Sequence, residues 1–263
     1  MRSRRREKLR RGIYILPSLF TVANIFCGFY SIVLSMKSSF ELSAVMIFLA
    51  GALDALDGRV ARLTRTSSEF GHEFDSLADL VSFGLAPAFL AYLWGLSPLE
   101  RIGWLVAFLY VISSAMRLAR FNIQKFADHR RYFIGMPVPA AAMTSASCSY
   151  LFPEKIGDKT LSGALSALII IITILMISRV RYRSFKDIDL KSRKSYVYIF
   201  FFAFALVAIA VEPKYAIFGL ALAYLFSGLI PLLLAYLRRV FSIPTRGADR
   251  HGESQEEGKL AER

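Results

Sequence analysis

Long apolar runs separated by short polar breaks dominate the chain, and eight of the runs are close to the length that a helix needs to cross a bilayer. That length is roughly 20 residues at about 1.5 Å each. The runs cover approximately residues 15 to 36, 41 to 62, 73 to 95, 103 to 122, 137 to 152, 160 to 178, 196 to 211 and 215 to 237, the fifth and seventh being short. Their connections are brief, and several carry Pro or Gly at Ser97-Pro98, Pro153, Gly157 and Pro213, so neighbouring helices are expected to run antiparallel. The pattern predicts an all-α integral membrane protein, a polytopic bundle of about eight transmembrane helices. After Ser242 the chain turns polar and loses its hydrophobic period, which predicts a disordered tail over residues 242–263.

Basic residues orient this pattern. With both termini placed in the cytoplasm, 28 Lys and Arg fall in inner segments and five (Lys37, Arg101, Lys155, Lys159, Lys214) in outer ones, as retained loops require. A missing or extra span would scramble that partition. The same distribution accounts for the net charge of +13 without a nucleic-acid partner, because the cations lie between apolar runs and form no stripe on a soluble surface. Composition agrees: the chain is 55% hydrophobic, with 22 Phe and 12 Tyr. Such a chain is a membrane protein before it is anything else. The basic start MRSRRREKLRR precedes an apolar run too long for a signal peptide and without a small-residue cleavage pattern, so it is expected to be a retained first span. Cys27 and Cys148 both sit inside apolar runs and predict packing, with neither a disulfide framework nor a cysteine metal site.

Ionisable groups inside spans are costly and mark a functional site by default. Here they concentrate in one place. The second span reads GALDALDGRVARL and the third begins GHEFDSLADLVSFG. Asp54 and Asp57 are three apart and Asp75 and Asp79 four apart, so each pair lies along one face of its helix, toward the cytoplasmic end. Four converging carboxylates repel unless cations separate them, and an all-oxygen donor set suits Mg²⁺ or Mn²⁺. Two metals bridged by carboxylates can polarise a phosphoryl centre and stabilise the oxygens that enter and leave it. Gly58 removes a side chain where a substrate must approach the backbone. Ala61 keeps the same face low one turn later, and Arg62 can pair with a phosphate or with one of the aspartates. Two other readings stand beside this one: salt bridges with Arg59, Arg62 and Arg65, or a cation relay in an ion-coupled transporter. A relay needs no glycine at this spacing and places its acids nearer the bilayer middle.

Written out, the spacing is Asp54, two residues, Asp57-Gly58, two residues, Ala61-Arg62, eight residues, Gly71, three residues, Asp75, three residues, Asp79. It resembles the signature of the CDP-alcohol phosphotransferase family at every fixed position. The resemblance implies a helical membrane fold and usually a homodimer. It also implies that the first three aspartates bind two divalent metals, with the fourth, Asp79, near the metals and acting as base toward the alcohol. Surrounding text is similar to the phosphatidylserine synthase branch: LPSLFTVANIFCGFYSI in the first span, DSLADLVSFGLAPA from Asp75, SAMRLARFN at the end of span four, and GMPVPAAA after the next inner loop. Leu80 stands where relatives that make phosphatidylglycerol phosphate typically have Lys. The likeness covers roughly residues 14 to 145.

What this implies is transfer of the phosphatidyl group of CDP-diacylglycerol to the hydroxyl of L-serine, giving phosphatidylserine and CMP. A sibling acceptor such as glycerol phosphate or inositol phosphate, or an ether lipid, is the alternative within the family. Serine is a zwitterion, so its site needs a cation for the carboxylate. Arg117 and Arg120, three apart at the cytoplasmic end of span four, can share a face and supply it, or can instead serve topology by snorkelling to headgroups. Asn24 in the first span can hydrogen-bond a neighbouring helix or reach the CDP-lipid. Ser67 and Ser68 lie in the loop between the aspartate helices, and the resemblance favours Ser68, with Gly71, on the CDP-lipid side. His72 is expected to be a loop or interfacial residue, Pro137 and Pro139 to open span five, and Trp94 and Trp104 to belong to the core or to interfacial belts. The implied organisation is a basic cytoplasmic segment 1–14, catalytic helices 15–152, C-terminal transmembrane helices 153–241 and the tail 242–263 in a multi-pass protein of the cell membrane.

Overall fold

The computed structural model describes residues 2–64, 69–125, 132–178, 181–183 and 195–241. Eight helical rods fill these segments. Helix α1 is Arg2–Met36, α2 Phe40–Thr64, α3 Glu69–Leu99, α4 Arg101–Lys125, α5 Val138–Leu151, α6 Lys159–Ile177, α7 Ser195–Val211 and α8 Pro213–Phe241. Each corresponds to one predicted span. Residues Met1–Gly228 make one compact unit, and Leu229–Arg263 make a second, of which the final turns of α8 are the described part.

Five of the helices are long and apolar enough to cross a membrane, with apolar stretches at Leu19–Met36, Glu69–Leu99, Arg101–Ile123, Lys159–Ile177 and Pro213–Ile230. The other three depart from that standard for separate reasons. Helix α2 carries Glu41, Asp54, Asp57, Arg59 and Arg62. Helix α7 is 17 residues long. Helix α5 has only 14 residues, about 21 Å at 1.5 Å per residue. Most of α5 is buried, including Thr144, Ser145, Ser147 and Ser149, so protein shields it from lipid and it need not match the bilayer in length or apolarity. Its first turn follows Pro137 and contains Pro139, as the sequence leads one to expect.

The α1 to α2 connection ends α1 with a Schellman motif, in which Ser39 N–H bonds the Leu34 carbonyl and Ser38 N–H that of Ser35. Ser38 takes the left-handed position at φ 60°, a role usually given to glycine. Just inside this turn the hydroxyls of Ser31, Ser35 and Ser43 bond one another at 2.7 to 2.8 Å and fasten α1 to α2. Further along α1, a Cβ on Gly28 would lie 2.6 Å from the Cα of Ser82, so glycine permits α3 to approach closely.

Helix α3 is irregular. Two π-helical stretches, Leu80–Leu85 and Tyr92–Leu96, interrupt it before it closes in a 3₁₀ turn at Ser97–Leu99. A π turn inserts a residue into the helical ladder and re-aims the turns beyond it. The buried core gathers around this region: Phe83, Leu90, Trp94 and Leu96 pack with Ile47, Tyr110, Ile169 and Leu175. Trp94 is a core residue whose indole N–H meets the carbonyls of Phe152 and Glu154, whereas Trp104 is exposed. Many large apolar side chains of α1, α4 and α6 face outward, among them Phe26, Phe108 and Ile174, as a lipid-facing surface requires.

Among the described residues, a small ribbon departs from the helical pattern. Strand β1, Tyr132–Ile134, pairs antiparallel with β2, Arg181–Arg183, with Phe133 opposite Tyr182. Gly135 comes next at φ +79° against the Met176 carbonyl, and Met136 N–H bonds the Leu175 carbonyl. The ribbon joins the segments after α4 and after α6 at one end of the bundle, which agrees with their common side in the charge partition. At its other end, Lys214 pairs with Glu41 at 2.6 Å and lies over the Tyr150 ring, seating the start of α8 against α2 and α5.

Candidate active site

Antiparallel α2 and α3 carry the four aspartates to the same end of the bundle. Carboxylate oxygens of Asp54, Asp75 and Asp79 lie within 4.8 Å of one another, each side chain half-buried. Asp57 is buried, at 7% exposure, and accepts a 2.5 Å hydrogen bond on Oδ2 from the Thr21 hydroxyl of α1. The expected convergence of four is therefore three plus one. Helix geometry explains the split. Residues three apart differ by about 60° around the axis and those four apart by about 40°, so Asp75 and Asp79 share a narrow stripe while Asp57 is rotated from Asp54 toward α1.

Helix α1 also reaches the fourth aspartate. Asn24, 1% exposed, donates from Nδ2 to Asp79 Oδ1 at 3.4 Å, while its own Oδ1 has no partner among the described residues. Of the two readings of Asn24, the structure displays the bond to a neighbouring helix and leaves the amide oxygen available. The Ser82 hydroxyl bonds the Asn24 carbonyl at 2.8 Å and locks α1 to α3 at that level. Helix α4 docks through Asn122, whose amide donates to the Ser76 hydroxyl, which in turn can donate to the His72 carbonyl. His72 thus lies within α3, which begins at Glu69, and not in a loop. Gly58 is exposed, and a Cβ there would meet nothing within 4 Å, so the chain beside Asp57 is open to an incoming molecule. Gly71 is a half-buried residue of the first turns of α3. Ala61 and Arg62 belong to α2, but their side chains, like Ser67 and Ser68 altogether, lie outside the described residues.

The two arginines of α4 separate clearly. Arg117 is 8% exposed, its Nε has no hydrogen-bond partner among the described residues, and it lies within electrostatic reach of Asp79, Arg120 and Tyr224 of α8. Arg120 instead donates from Nη1 to the Ile177 carbonyl at 3.2 Å, satisfying the C-terminal end of α6. A buried guanidinium of this kind can pair with an anionic group. The sequence reading missed Thr21, Tyr224 and the Ser76 to Asn122 pair. For Thr21 a signal existed, since it stands three residues before Asn24 and shares its helix face.

Taken together, the cluster offers hard oxygen donors suited to a divalent cation, beside a buried cation suited to a carboxylate or phosphate. The chain is similar to known proteins. A Helicobacter pylori (strain J99) CDP-diacylglycerol--serine O-phosphatidyltransferase is 42% identical over 181 residues, 67% of this chain and 75% of the relative. The Bacillus subtilis protein of the same name is 34% identical over 65% of this chain and 91% of its own length. One from Methanocaldococcus jannaschii is 38% identical over 66% of the chain and 77% of the relative. The sequence profile of the CDP-alcohol phosphatidyltransferase family matches residues 14–178. That match spans all four aspartates and the helices that position them, and the chain belongs to the CDP-alcohol phosphatidyltransferase family.

Proposed function

We propose that the protein is a CDP-diacylglycerol--serine O-phosphatidyltransferase, which moves the phosphatidyl group of CDP-diacylglycerol to L-serine and releases CMP. The observation that carries the reading is the buried Arg117 guanidinium within electrostatic reach of Asp79, itself a member of the carboxylate group of Asp54, Asp75 and Asp79. The relatives' shared name supports the acceptor, and the family supports the donor.

The donor set fits a hard divalent cation, because a positive charge between them relieves the repulsion of three carboxylates whose oxygens lie within 4.8 Å of one another. Asp54, Asp57, Asp75 and Asp79 would hold two such ions, Mg²⁺ or Mn²⁺, which when bound screen the carboxylates and draw charge from the phosphoryl oxygens. The chain's own residues do the rest. Arg117 grips the serine carboxylate and so presents the hydroxyl to Asp79. Asp79 takes the hydroxyl proton, and the serine oxygen forms a bond to the phosphorus bearing the lipid as the bond to the CMP oxygen breaks. Asn24, held against Asp79, and the open backbone at Gly58 border the CDP-lipid, with Ala61, Arg62, Ser68 and Gly71 on the same side of the site in the family pattern. Burial of Arg117 and Asn24 keeps water from competing for the acceptor.

In this reading residues 15–152 do the catalytic work and 153–241 support them. The protein works as a homodimer in the cell membrane, with both termini and the site in the cytoplasm. The partition of 28 inner against five outer basic residues supports that orientation. The test is an acceptor panel: purified protein with labelled CDP-diacylglycerol and Mn²⁺, offered serine, glycerol phosphate and inositol phosphate in turn. Serine-dependent CMP release abolished by a chelator is expected. Release with another alcohol but not with serine would make the protein a sibling transferase, and no release with any acceptor would favour an ion-handling role.

A further inference from the structure

Asp57 is usefully compared with its neighbours because it alone of the four aspartates is buried, and it is tied to a hydroxyl of another helix. Thr21 is itself 3% exposed, and its Oγ1 meets Asp57 Oδ2 at 2.5 Å, across 36 residues of sequence. An ionised carboxylate only accepts hydrogen bonds, so the proton is the threonine's, and the separation is that of a charge-assisted O–H···O⁻ bond. This bond is not needed to hold α1 to α2, which the Ser31, Ser35 and Ser43 network already joins near the connecting turn. It acts on one oxygen of one carboxylate, one helical turn from Asp54.

We infer that Thr21 is a positioning residue: its hydroxyl engages Oδ2 of Asp57 and leaves Oδ1 as the single oxygen that this residue offers to a divalent cation. The inference rests on the cation-binding reading above and adds to it a second layer, supplied from α1. The threonine's β-branch restricts χ1 within a helix to two rotamers, and the bond to Asp57 selects between them. The stiff side chain therefore fixes the rotamer of Asp57, and the carboxylate is delivered in one orientation and with one free oxygen. Three residues on, Asn24 does the same to Asp79, bonding Oδ1. One face of α1 thus orients one aspartate from each of the two signature helices. Partners of this kind typically govern metal affinity by about 10- to 100-fold.

The test uses the full chain in detergent or nanodiscs and reads Mn²⁺ binding directly, by electron paramagnetic resonance or calorimetry, beside activity. Thr21→Val keeps the shape and removes the O–H, and should raise the Mn²⁺ dissociation constant about 10- to 100-fold. Its turnover should fall at limiting Mn²⁺ and recover as Mn²⁺ is raised, because the loss is one of metal affinity. Thr21→Ser restores the donor and should bind as wild type does. Thr21→Ala is measured in parallel, since it removes the hydroxyl without placing a second methyl against a carboxylate, and so tests the same point if valine prevents folding. Wild-type Mn²⁺ affinity in Thr21→Val or Thr21→Ala would overturn the inference, as would a Thr21→Ser protein as weak as the alanine variant. Asp54→Ala separates the two levels. A wild-type protein that binds no Mn²⁺ removes the cation-binding reading and this inference with it, whereas binding lost in Asp54→Ala and intact in Thr21→Val removes only the role of Thr21.

Discussion

Replacing Arg117 with alanine asks whether the buried cation of α4 serves the acceptor. The side chain is 8% exposed, its Nε has no partner among the described residues, and Asp79 is within electrostatic reach. A serine carboxylate bound there would be largely cut off from water, so truncation would leave it unpaired beside an acidic cluster. A lost hydrogen bond to a charged group is worth about 1.5 to 3 kcal/mol. At 1.4 kcal/mol per factor of ten, the KM for serine should rise about 10- to 150-fold. The KM for the CDP-lipid should change little. Arg117→Lys should recover part of the loss, because an ammonium carries the charge without the planar two-pronged donor. Arg120 provides the control. Its guanidinium meets the Ile177 carbonyl, so Arg120→Ala should lower thermal stability by the ~0.3 to 1 kcal/mol typical of a cation at a helix end, and leave serine KM unchanged. The assay is a serine titration at saturating CDP-diacylglycerol. A wild-type serine KM in Arg117→Ala would refute the reasoning, and a raised KM in Arg120→Ala alone would move the carboxylate site to the other arginine.

The same geometry sets other expectations. Asp79→Asn should retain CDP-lipid binding while turnover falls about 10²-fold or more, as loss of a general base commonly produces; near-normal turnover would remove Asp79 from that role. Gly28→Ala places a Cβ 2.6 Å from the Ser82 Cα, so α1 must shift from α3, at about 1 to 3 kcal/mol. A melting temperature equal to wild type in detergent would show that the two helices are less tightly apposed. Cysteines introduced at residues 2 and 250 should resist a membrane-impermeant reagent in intact cells, and labelling of either from outside contradicts eight spans with cytoplasmic ends.

Much of this site is written in the spacing of a few residues. Carboxylates in an apolar run announce themselves, because nothing about packing calls for them, and three of the four meet where their spacing places them. The fourth shows the limit of that reasoning. Periodicity tells which way a side chain leaves its own helix, but not which partner waits there, so the capture of Asp57 by Thr21 depends on how α1 crosses α2. The same limit divides Arg117 from Arg120. As neighbours on one face they read as a pair, yet one ends within electrostatic reach of Asp79 and the other on the last carbonyl of α6, a helix more than 30 residues further along the chain. Tyr224 was invisible for a related reason: it comes from α8, in a stretch where hydropathy is the whole signal. Apolar length says little at α5, whose buried serines reveal a rod wrapped by its neighbours. The ribbon of β1 and β2 arises in short connecting segments, where the alternation of Arg179, Val180, Arg181, Tyr182 and Arg183 is too brief to name a partner strand.

The π-helical stretch Leu80–Leu85 begins at the residue after Asp79. A wide turn of this kind is the footprint of one residue added to an otherwise regular helix, and it works as a rotary joint between two halves with different duties. The half before it aims carboxylates, the joint itself ties Ser82 to Asn24 and Phe83 to Tyr110, and the half after it carries Leu90, Trp94 and Leu96 into the core. Closing 80–85 into regular α-helical turns with no residue removed would turn the later half by about 100° relative to the earlier one. Chemistry and anchorage would then point in incompatible directions although every side chain of the site was still present. The chain has in effect separated the aiming of its catalytic acids from the fastening of its bundle, so that each can be adjusted without disturbing the other.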